Sequence, residues 1–250
     1  MTTSFSLRHN SSTTQCGLLL QNTSTLVCCT NENIHLFFLT QNKPPVTLIS
    51  HTKDILYILE LPNNLLASSS EDATIIIWSL ISFKPLHILK GHDDWITYLK
   101  LLSNDRLASC SIDNTIKIWN YLNEKCIFTY EGHTDWVNSI CQLDLELFSS
   151  CGDDCCIKIW SIKNSKEIQI DNNKAIKLIE KVDKARLIYC DIEGIIVVYN
   201  ITENKEELKM NLNRNNPIDM IDIGDSRYAI TFDNFEIYIL SLLYKEITKL

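Results

Sequence analysis

This sequence of 250 residues contains only six glycines and five prolines, too few for a flexible linker or a low-complexity segment. It has no apolar run of the roughly 18 residues that a membrane-spanning helix requires. The opening segment MTTSFSLRHNSSTTQ lacks the long apolar core of a secretion signal. We therefore expect an intracellular, cytoplasmic protein, with a nuclear location left open, whose thiols stay reduced.

Positive charge is also scarce, because 31 acidic residues outnumber 23 basic residues and the net charge is −8. The sequence has no stripe of Lys and Arg that could follow a nucleic-acid backbone, and anionic membrane surfaces repel an acidic chain. The composition therefore predicts that neither a nucleic acid nor a membrane is the partner. It favours a partner protein or peptide, and a basic peptide in particular.

The motifs of catalysis and metal binding are missing as well. The ten cysteines include no pair of CxxC units and no His at zinc-finger spacing. The sequence also has no phosphate-binding loop and no nucleophile elbow. Most cysteines fall in predicted strands, where Cys packs as a small apolar side chain, and metal or redox chemistry is the alternative. We predict no metal ligand, no cofactor and no catalytic residue.

What the sequence does contain is a repeat. The segments TIIIW, TIKIW and CIKIW end at Trp78, Trp119 and Trp160, with steps of 41 residues. Projecting this period outward finds large apolar residues at Phe37, Tyr199 and Leu240. Each period holds four short apolar segments with strand-like alternation, separated by turn residues. Repeated four-stranded sheets bury their faces by radial packing, so we predict an all-β protein, a β-propeller with six visible blades.

The segment GHDDWITYLKLLSNDRLASCSIDNTIKIWN, residues 91–120, resembles a repeat of the WD-repeat propeller family. It has the Gly-His opening of that family, its Ala-Ser-x-Ser-x-Asp turn and its closing strand with Trp. The likeness is close from about 51 to 170 and weaker over nearly all the rest of the chain. Ser or Asn replaces the Asp of the Trp-Asp pair, which is common in such repeats. The resemblance implies a propeller whose Gly-His loops form the usual platform for partners.

The period also predicts how the chain is organised. We expect one WD-repeat propeller domain over 1–250, with blades at roughly 9–50, 51–90, 91–131, 132–171, 172–211 and 212–250. Residues 3–8 resemble an outer strand that has no blade before it, and LLYKEITKL after Leu240 is another outer strand. Two strands therefore compete to complete the last blade. Either the propeller has six blades, which we favour, or the chain is part of a ring of seven.

Four residues recur with the period at constant spacing. A His stands 27 residues and an Asp six residues before each Trp, and a Ser stands four residues before each Asp. The three sets are His51, Ser68, Asp72 and Trp78; His92, Ser109, Asp113 and Trp119; and His133, Ser150, Asp154 and Trp160. Ser, His and Asp could form a hydrolase site, but catalytic sites are usually single. A buried His needs a partner for its ring N–H, so we predict a structural hydrogen-bond network in each blade, as the resemblance also implies.

The outer periods lack these residues. The equivalent positions hold Asn10 and Asn31 in the first period, Asn172 and Glu193 in the fifth, and Asn213 and Asn234 in the sixth. Apolar packing must then hold these blades together, and we expect them to have the lower local stability within the propeller.

Two tryptophans outside the strands are the candidate binding residues. Trp95 and Trp136 directly precede Ile96 and Val137, which we expect to be buried. Because side chains alternate along a strand, both indoles should be at least partly exposed, in adjacent blades. Exposed tryptophans among polar loop residues are typical interface anchors. The alternative is that each indole packs on a neighbouring loop as a staple between blades.

Acidic residues are predicted on the same rim, and a solvated acidic surface is the alternative explanation for them. They are Asp54, Glu71, Asp93, Asp94, Asp135 and Asp153. Aromatic anchors surrounded by carboxylates suit a Lys- or Arg-containing peptide. We therefore predict a non-catalytic scaffold for protein–protein interactions, which acts within a multiprotein complex. The alternatives are the substrate-recognition part of a larger assembly such as a ubiquitin-ligase complex, a propeller enzyme with its site at the channel mouth, or a fragment whose other domains lie elsewhere.

Overall fold

The computed structural model describes residues 16–20, 24–164, 167–234 and 236–250. Within these ranges it contains 24 β-strands and no helix, so it has no helix that could cross a membrane. The strands form six sheets of four, and consecutive strands of each sheet pair with each other. The prediction of an all-β protein with six blades is confirmed: the fold is a six-bladed β-propeller.

The chain divides into two compact units, and the first unit is Met1–Glu131. Blade 1 consists of β1 (Cys16–Leu20), β2 (Thr25–Thr30), β3 (Asn33–Phe38) and β4 (Val46–Ile49). Blade 2 consists of β5 (Ile55–Leu61), β6 (Leu65–Ser70), β7 (Thr74–Ser79) and β8 (Lys84–Lys90). Blade 3 consists of β9 (Ile96–Leu102), β10 (Arg106–Ser111), β11 (Ile116–Asn120) and β12 (Lys125–Tyr130).

The second unit is Gly132–Leu250. Blade 4 consists of β13 (Val137–Asp144), β14 (Leu147–Gly152), β15 (Cys156–Ser161) and β16 (Ile168–Asp171). Blade 5 consists of β17 (Ile176–Lys181), β18 (Arg186–Asp191), β19 (Ile195–Asn200) and β20 (Lys205–Asn211). Blade 6 consists of β21 (Pro217–Gly224), β22 (Arg227–Phe232), β23 (Ile237–Ser241) and β24 (Glu246–Lys249).

Short polar turns reverse the chain between these strands. Between β5 and β6, Asn63 and Asn64 have φ angles of 62° and 58°, and between β9 and β10, Asn104 and Asp105 have 61° and 51°. Asn and Asp tolerate this left-handed region better than other residues with a side chain. The asparagines of the sequence therefore supply conformations for which glycine is the usual choice.

The sheets of each unit bury their faces against one another. In the first unit, Ile34 and Leu48 of blade 1 belong to one buried cluster with Ile58, Ile76 and Trp78 of blade 2. The second unit contains two comparable clusters, one between blades 4 and 5 and one between blades 5 and 6. A single four-stranded blade could not bury both of its faces, so each blade depends on its neighbours for stability.

The last blade is completed by the strand that follows Leu240. In this sheet β24 pairs with β23, with Glu246 opposite Ser241 and Lys249 opposite Tyr238. Residues 3–8, the other candidate, lie outside the described residues, and their role in closing the propeller stays a prediction. So does the single-domain assignment, although the boundary between the two units falls where we placed the boundary between blades 3 and 4.

Candidate functional site

In blade 3 the structure brings the four recurring residues together. His92 lies in the loop before β9, and its Nδ1 is 2.7 Å from Oδ2 of Asp113 in the turn between β10 and β11. Its Nε2 is 2.7 Å from Oγ of Ser109 in β10. The Trp119 indole N–H donates to the same Oγ over 2.8 Å. One side-chain network thus connects a loop, two strands and a turn.

The protons of this network follow from the pKa of His92, because burial lowers that pKa and favours the neutral ring. In the neutral ring the Nδ1–H donates to the Asp113 carboxylate, and Nε2 accepts from the Ser109 hydroxyl. The carboxylate also accepts hydrogen bonds from the backbone N–H of Asp93 and from the backbone and hydroxyl of Thr115. Every polar side-chain atom in this hydrogen-bonded series, from Trp119 to Asp113, therefore has a partner. A polar group without a partner would be costly there, because the protein interior has a low dielectric constant.

Blades 2 and 4 repeat this arrangement with small differences. In blade 2, His51 lies 2.8 Å from both Asp72 and Ser68, and Trp78 donates to Ser68. In blade 4, His133 lies 2.8 Å from both Asp154 and Ser150, and Trp160 donates to Ser150. The hydroxyl of Thr74 donates to Asp72 in blade 2, whereas Cys156 occupies the equivalent position in blade 4. Its thiol points to the Asp154 backbone carbonyl and to Asp171 instead.

The pKa values of four titratable groups in the network are shifted. Burial alone would raise the pKa of Asp113, but the hydrogen bonds from His92 and Thr115 and the proximity of the imidazole lower it below its usual range. The pKa values of Asp72 and Asp154 are lowered against the same effect of burial, chiefly by the hydrogen bonds from their His partners. Burial lowers the pKa of His92, which favours the neutral ring.

The three serines are poorly placed to act as nucleophiles. Ser68, Ser109 and Ser150 have no exposed surface, and each Oγ already accepts a hydrogen bond from an indole. A nucleophilic Ser must reach the substrate atom that it attacks. The resemblance to a hydrolase triad is therefore limited to the residue types.

The loops that enter blades 3 and 4 carry the predicted binding residues. Trp95 is 38% exposed and Trp136 is 47% exposed, whereas the adjacent Ile96 and Val137 are buried. The backbone N–H of Trp95 donates to the side chain of Asp94 over 2.8 Å, and its carbonyl accepts the Ile112 N–H over 3.0 Å. Trp136 makes the equivalent two bonds in blade 4. Each indole therefore projects from a loop whose backbone is held by hydrogen bonds on both sides of the Trp Cα.

Asp54 occupies the same position in blade 2 as the two tryptophans occupy in their blades. Its carbonyl accepts the Glu71 N–H over 3.0 Å, which is the bond that the Trp95 carbonyl makes in blade 3. Both acidic side chains are half-buried. Partial burial, and then the nearby negative charge of Asp54, raise the pKa of Glu71. Blade 2 thus presents a pair of carboxylates where blades 3 and 4 present an indole.

The other predicted acidic residues differ from one another in their surroundings. Asp93, Asp94 and Asp135 are exposed. Asp153 is half-buried, and its Oδ1 lies 2.6 Å from the Lys177 Nζ and 2.6 Å from the Asn138 Nδ2. Sequence reasoning missed this ion pair, because Lys177 belongs to a different blade and its spacing from Asp153 follows no motif. The Asp153 carboxylate is therefore already neutralised within the chain.

Blade 5 stabilises its turn with a residue that the repeat pattern did not indicate. Glu193 and Asn172 occupy the network positions, but Asp191 is buried and its Oδ1 accepts the backbone N–H groups of Glu193 and Ile195. Glu193 forms an exposed ion pair with Lys174. In blade 5 the carboxylate that binds the backbone N–H groups of the turn therefore lies two residues earlier than in blades 2 to 4. Gly194 follows Glu193 with a φ of 74°, a left-handed conformation that suits glycine.

The remaining positions that lack the His or Asp of the network make local hydrogen bonds or form part of a turn instead. In blade 6, Asn234 accepts the backbone N–H of Glu236, and Asn213 donates its own backbone N–H to Asn211. Asn31 has a φ of 51° in the turn of blade 1. Asn10 lies outside the described residues. None of the substituted positions in the described part of the chain repeats the His–Asp bond of blades 2 to 4.

The cysteines are present as thiols. Burial raises the pKa of Cys110 and of Cys190. The more accessible Cys156 has a pKa raised to about 11, by partial burial and then by the neighbouring Asp154 charge. The thiolate is the nucleophile and the metal ligand, so these environments oppose both kinds of chemistry. The described residues contain no cluster of metal-ligating side chains.

Comparisons with known proteins agree with this geometry. The family described as WD40, "WD domain, G-beta repeat", matches residues 42–79, 83–120 and 124–161. Among solved structures, the chain is similar to the crystal structure of the WD40 β-propeller domain of Doa1, with a TM-score of 0.84 and 15% sequence identity. That similarity covers 99% of this chain and 85% of the other. None of the curated proteins compared with the sequence matches it.

The chain therefore carries three WD40 repeats, within residues 42–161, on a β-propeller fold. The resemblance to the WD-repeat propeller family is confirmed for these repeats. Propellers of this family are generally non-catalytic scaffolds that bind proteins or peptides. At 15% identity the similarity to the Doa1 domain shows the fold alone, because one fold supports many functions. The particular partner must be argued from the loops.

Proposed function

We propose that this protein is a non-catalytic scaffold that binds a Lys- or Arg-containing peptide of a partner protein through the loops that carry Trp95 and Trp136. The observation that supports this most is the exposure of two indoles, 38% and 47%, at equivalent positions of two successive WD40 repeats. Trp is among the residues that most often dominate the binding energy of an interface.

The loops are suited to binding because they are already ordered. Each Trp is held by a hydrogen bond to its N–H and another to its carbonyl. The loop therefore loses little conformational entropy when a partner binds, and more of the contact energy appears as affinity. The staple alternative needs an indole that is buried against a neighbouring loop, and the exposed fraction of Trp136 argues against it.

The charges near the indoles favour a basic peptide. Asp93, Asp94 and Asp135 are exposed beside the two tryptophans, so they would attract Lys and Arg and speed the encounter. A cationic side chain would also offset the negative charge of Asp54, which adds to partial burial in raising the pKa of Glu71. Asp153 would contribute least, because it would first have to release Lys177.

Binding of synthetic peptides tests this proposal. Fluorescence anisotropy with Lys- and Arg-rich, neutral and acidic peptides should show that the basic peptides bind best. The double variant Trp95→Ala/Trp136→Ala should weaken that binding by about tenfold or more, and higher salt should weaken it further. Ile127→Ala is the matched control, because Ile127 is an exposed apolar residue on the outer strand of blade 3.

Two results would contradict the proposal. One is a double variant that keeps the melting temperature of the original protein and still binds basic peptides equally well. The other is a preference for acidic or neutral peptides that Asp93→Asn/Asp94→Asn leaves unchanged.

Membership of a multiprotein complex inside the cell is part of the same proposal. The ten free thiols suit a reducing compartment. Affinity capture from native cells with the original protein and with the double Trp variant would identify the partner, as the protein that the variant fails to retain. A partner that belongs to a ubiquitin-ligase complex would make this protein the substrate-recognition part of that assembly.

A further inference from the structure

A second set of exposed apolar residues lies in the first unit, at the ends of the strands opposite to the loop that carries Trp95. The turn after the third strand of blades 1, 2 and 3 presents Leu39, Ile81 and Leu122, which are 60%, 75% and 48% exposed. Ile81 and Leu122 each stand three residues after the Trp that closes the repeat. Single exposed aliphatic residues are common on soluble proteins, but Ile81 and Leu122 occupy the same position of two successive blades, and Leu39 lies one position earlier in the corresponding turn of blade 1. We call Leu39, Ile81 and Leu122 the aliphatic turn residues.

The turn of blade 2 shows why its side chain points outward. The Ser79 hydroxyl accepts the backbone N–H groups of both Ile81 and Ser82. The Phe83 N–H bonds to the Ser79 carbonyl over 2.8 Å, and Phe83 has a φ of 55°. These bonds close a tight turn at the end of β7 and leave Ile81 outside it. A partner would therefore meet a preformed surface.

Contacts between blades place these turns next to one another. The rings of Phe38 in blade 1 and Phe83 in blade 2 pack edge to face, with centroids 6.1 Å apart. His87 on β8 of blade 2 lies 3.0 Å from Glu124 in the turn of blade 3. The three turns therefore lie side by side within the first unit.

Lysines accompany the aliphatic turn residues, whereas carboxylates accompany Trp95. Lys84 and Lys125 directly follow the turns of blades 2 and 3, and Lys43 lies over the Phe38 ring in blade 1, with its Nζ 5.9 Å from the centroid. Of the nearby acidic residues, Glu124 is paired with His87 and Asp105 lies in the neighbouring turn. The aliphatic turn residues are thus accompanied by one lysine per blade.

We propose that the aliphatic turn residues form a second docking surface, which binds an acidic amphipathic segment of a partner protein. Aliphatic side chains of the segment would cover Leu39, Ile81 and Leu122, and its carboxylates would face Lys84 and Lys125. A partner protein is favoured over an anionic membrane, because WD40 propellers generally bind proteins or peptides. This surface is independent of the Trp95 and Trp136 loops, and the two proposals can fail separately.

The test uses the whole protein and three synthetic helical peptides. One has Glu and Asp on one face and Leu and Ile on the other, one has Lys in place of the acidic residues, and one has the acidic composition in scrambled order. Only the first should bind in fluorescence anisotropy. Ile81→Ser/Leu122→Ser should weaken this binding by about tenfold, and Lys84→Glu/Lys125→Glu should weaken it and remove its salt dependence.

Matched controls separate this surface from general effects. Leu243→Ser removes an aliphatic residue at the equivalent turn position of blade 6, where it is 70% exposed, and Lys90→Glu reverses a charge at the opposite end of β8. Both controls should bind the acidic peptide as the original protein does. The proposal is wrong if the acidic peptide does not bind, if Ile81→Ser/Leu122→Ser binds it unchanged, or if phosphatidylserine vesicles bind and the acidic peptide does not.

Discussion

Blade 3 and blade 6 have the same four-stranded sheet but are held together differently. In blade 3, a buried chain of hydrogen bonds runs from Trp119 to Asp113 and joins the entering loop to the turn. In blade 6, Glu236 at the surface joins Arg214 and Lys249. Hydrogen bonds from Lys249 and Arg214 lower the pKa of Glu236 to about 2, but water screens such an exposed cluster.

This difference shows that the repeat contains two separable parts. The alternating apolar residues are enough to form a blade, since blades 5 and 6 form without the network and share a buried cluster. The polar network adds a connection between a loop and a turn that apolar packing does not provide. We expect this connection to contribute stability to blades 2, 3 and 4 and little to the others.

The largest effect should follow from removing the carboxylate at the centre of the network. Asp113→Ala leaves the buried N–H of His92 and the groups of Thr115 without their acceptor, and should cost about 2–4 kcal/mol of unfolding free energy. The melting temperature, measured by circular dichroism, should fall by about 5–15 °C. Glu193→Ala removes the residue at the equivalent position of blade 5, where only an exposed ion pair is lost, and should cost about 0.5 kcal/mol or less. Equal losses in the two variants would remove the distinction between the blades.

Local stability should differ between the blades in the unmodified protein. Amide hydrogen exchange followed by mass spectrometry should be about tenfold or more slower in β10 and β11 of blade 3 than in β22 and β23 of blade 6, because opening blade 3 also breaks the buried network. A uniform exchange rate over both blades would show that apolar packing alone sets their stability.

The network should also make stability depend on pH. The pKa of His92 is lowered in the folded state, so the unfolded chain binds more protons once the pH falls below about 6.5. The pKa values of Asp72 and Asp113 are lowered too, which adds a second loss below about pH 3.9. Stability should therefore be highest above pH 6.5 and decline as the pH falls. Urea midpoints measured over this range should decline less steeply near pH 6 for His92→Gln, and an unchanged slope would contradict this assignment.

The smallest effect should come from restoring a hydroxyl to blade 4. Cys156→Thr places a hydroxyl where Thr115 donates to Asp113 in blade 3, and a hydroxyl is a stronger donor than a thiol. The unfolding free energy should rise by about 0.5–1 kcal/mol, which corresponds to about 2 °C in melting temperature. Thr115→Cys should lower it by a similar amount. A Cys156→Thr variant that is less stable than the original would mean that the thiol bonds to Asp154 and Asp171 matter more.

Much of the fold could be predicted because its information is local and repeated. The spacing of Trp78, Trp119 and Trp160 predicted the period, and the alternation within each period predicted strands. The class and six visible blades followed, with a ring of seven left as the alternative. The sequence left two strands to complete the last blade, and the structure places β24 there. Which strand pairs at a sheet edge depends on the position of the chain in space, and residue spacing does not contain it.

The candidate site was less accessible to prediction. The partial exposure of Trp95 and Trp136 follows from strand alternation, but the ion pair of Asp153 with Lys177 joins residues of two blades. The repeat pattern did not indicate Asp191, because its carboxylate binds the backbone N–H groups of the turn from a position two residues earlier than the Asp of blades 2 to 4. The aliphatic turn residues were overlooked because single exposed Ile and Leu residues carry no motif.

By itself, the sequence determined the repeat, the strands and the composition of the network, because each depends on residues within one period of the chain. Only the tertiary structure decided which carboxylates are exposed, which are neutralised within the chain, and which apolar side chains remain exposed. Those properties depend on contacts between individual side chains, such as Asp153 with Lys177, that the period does not specify.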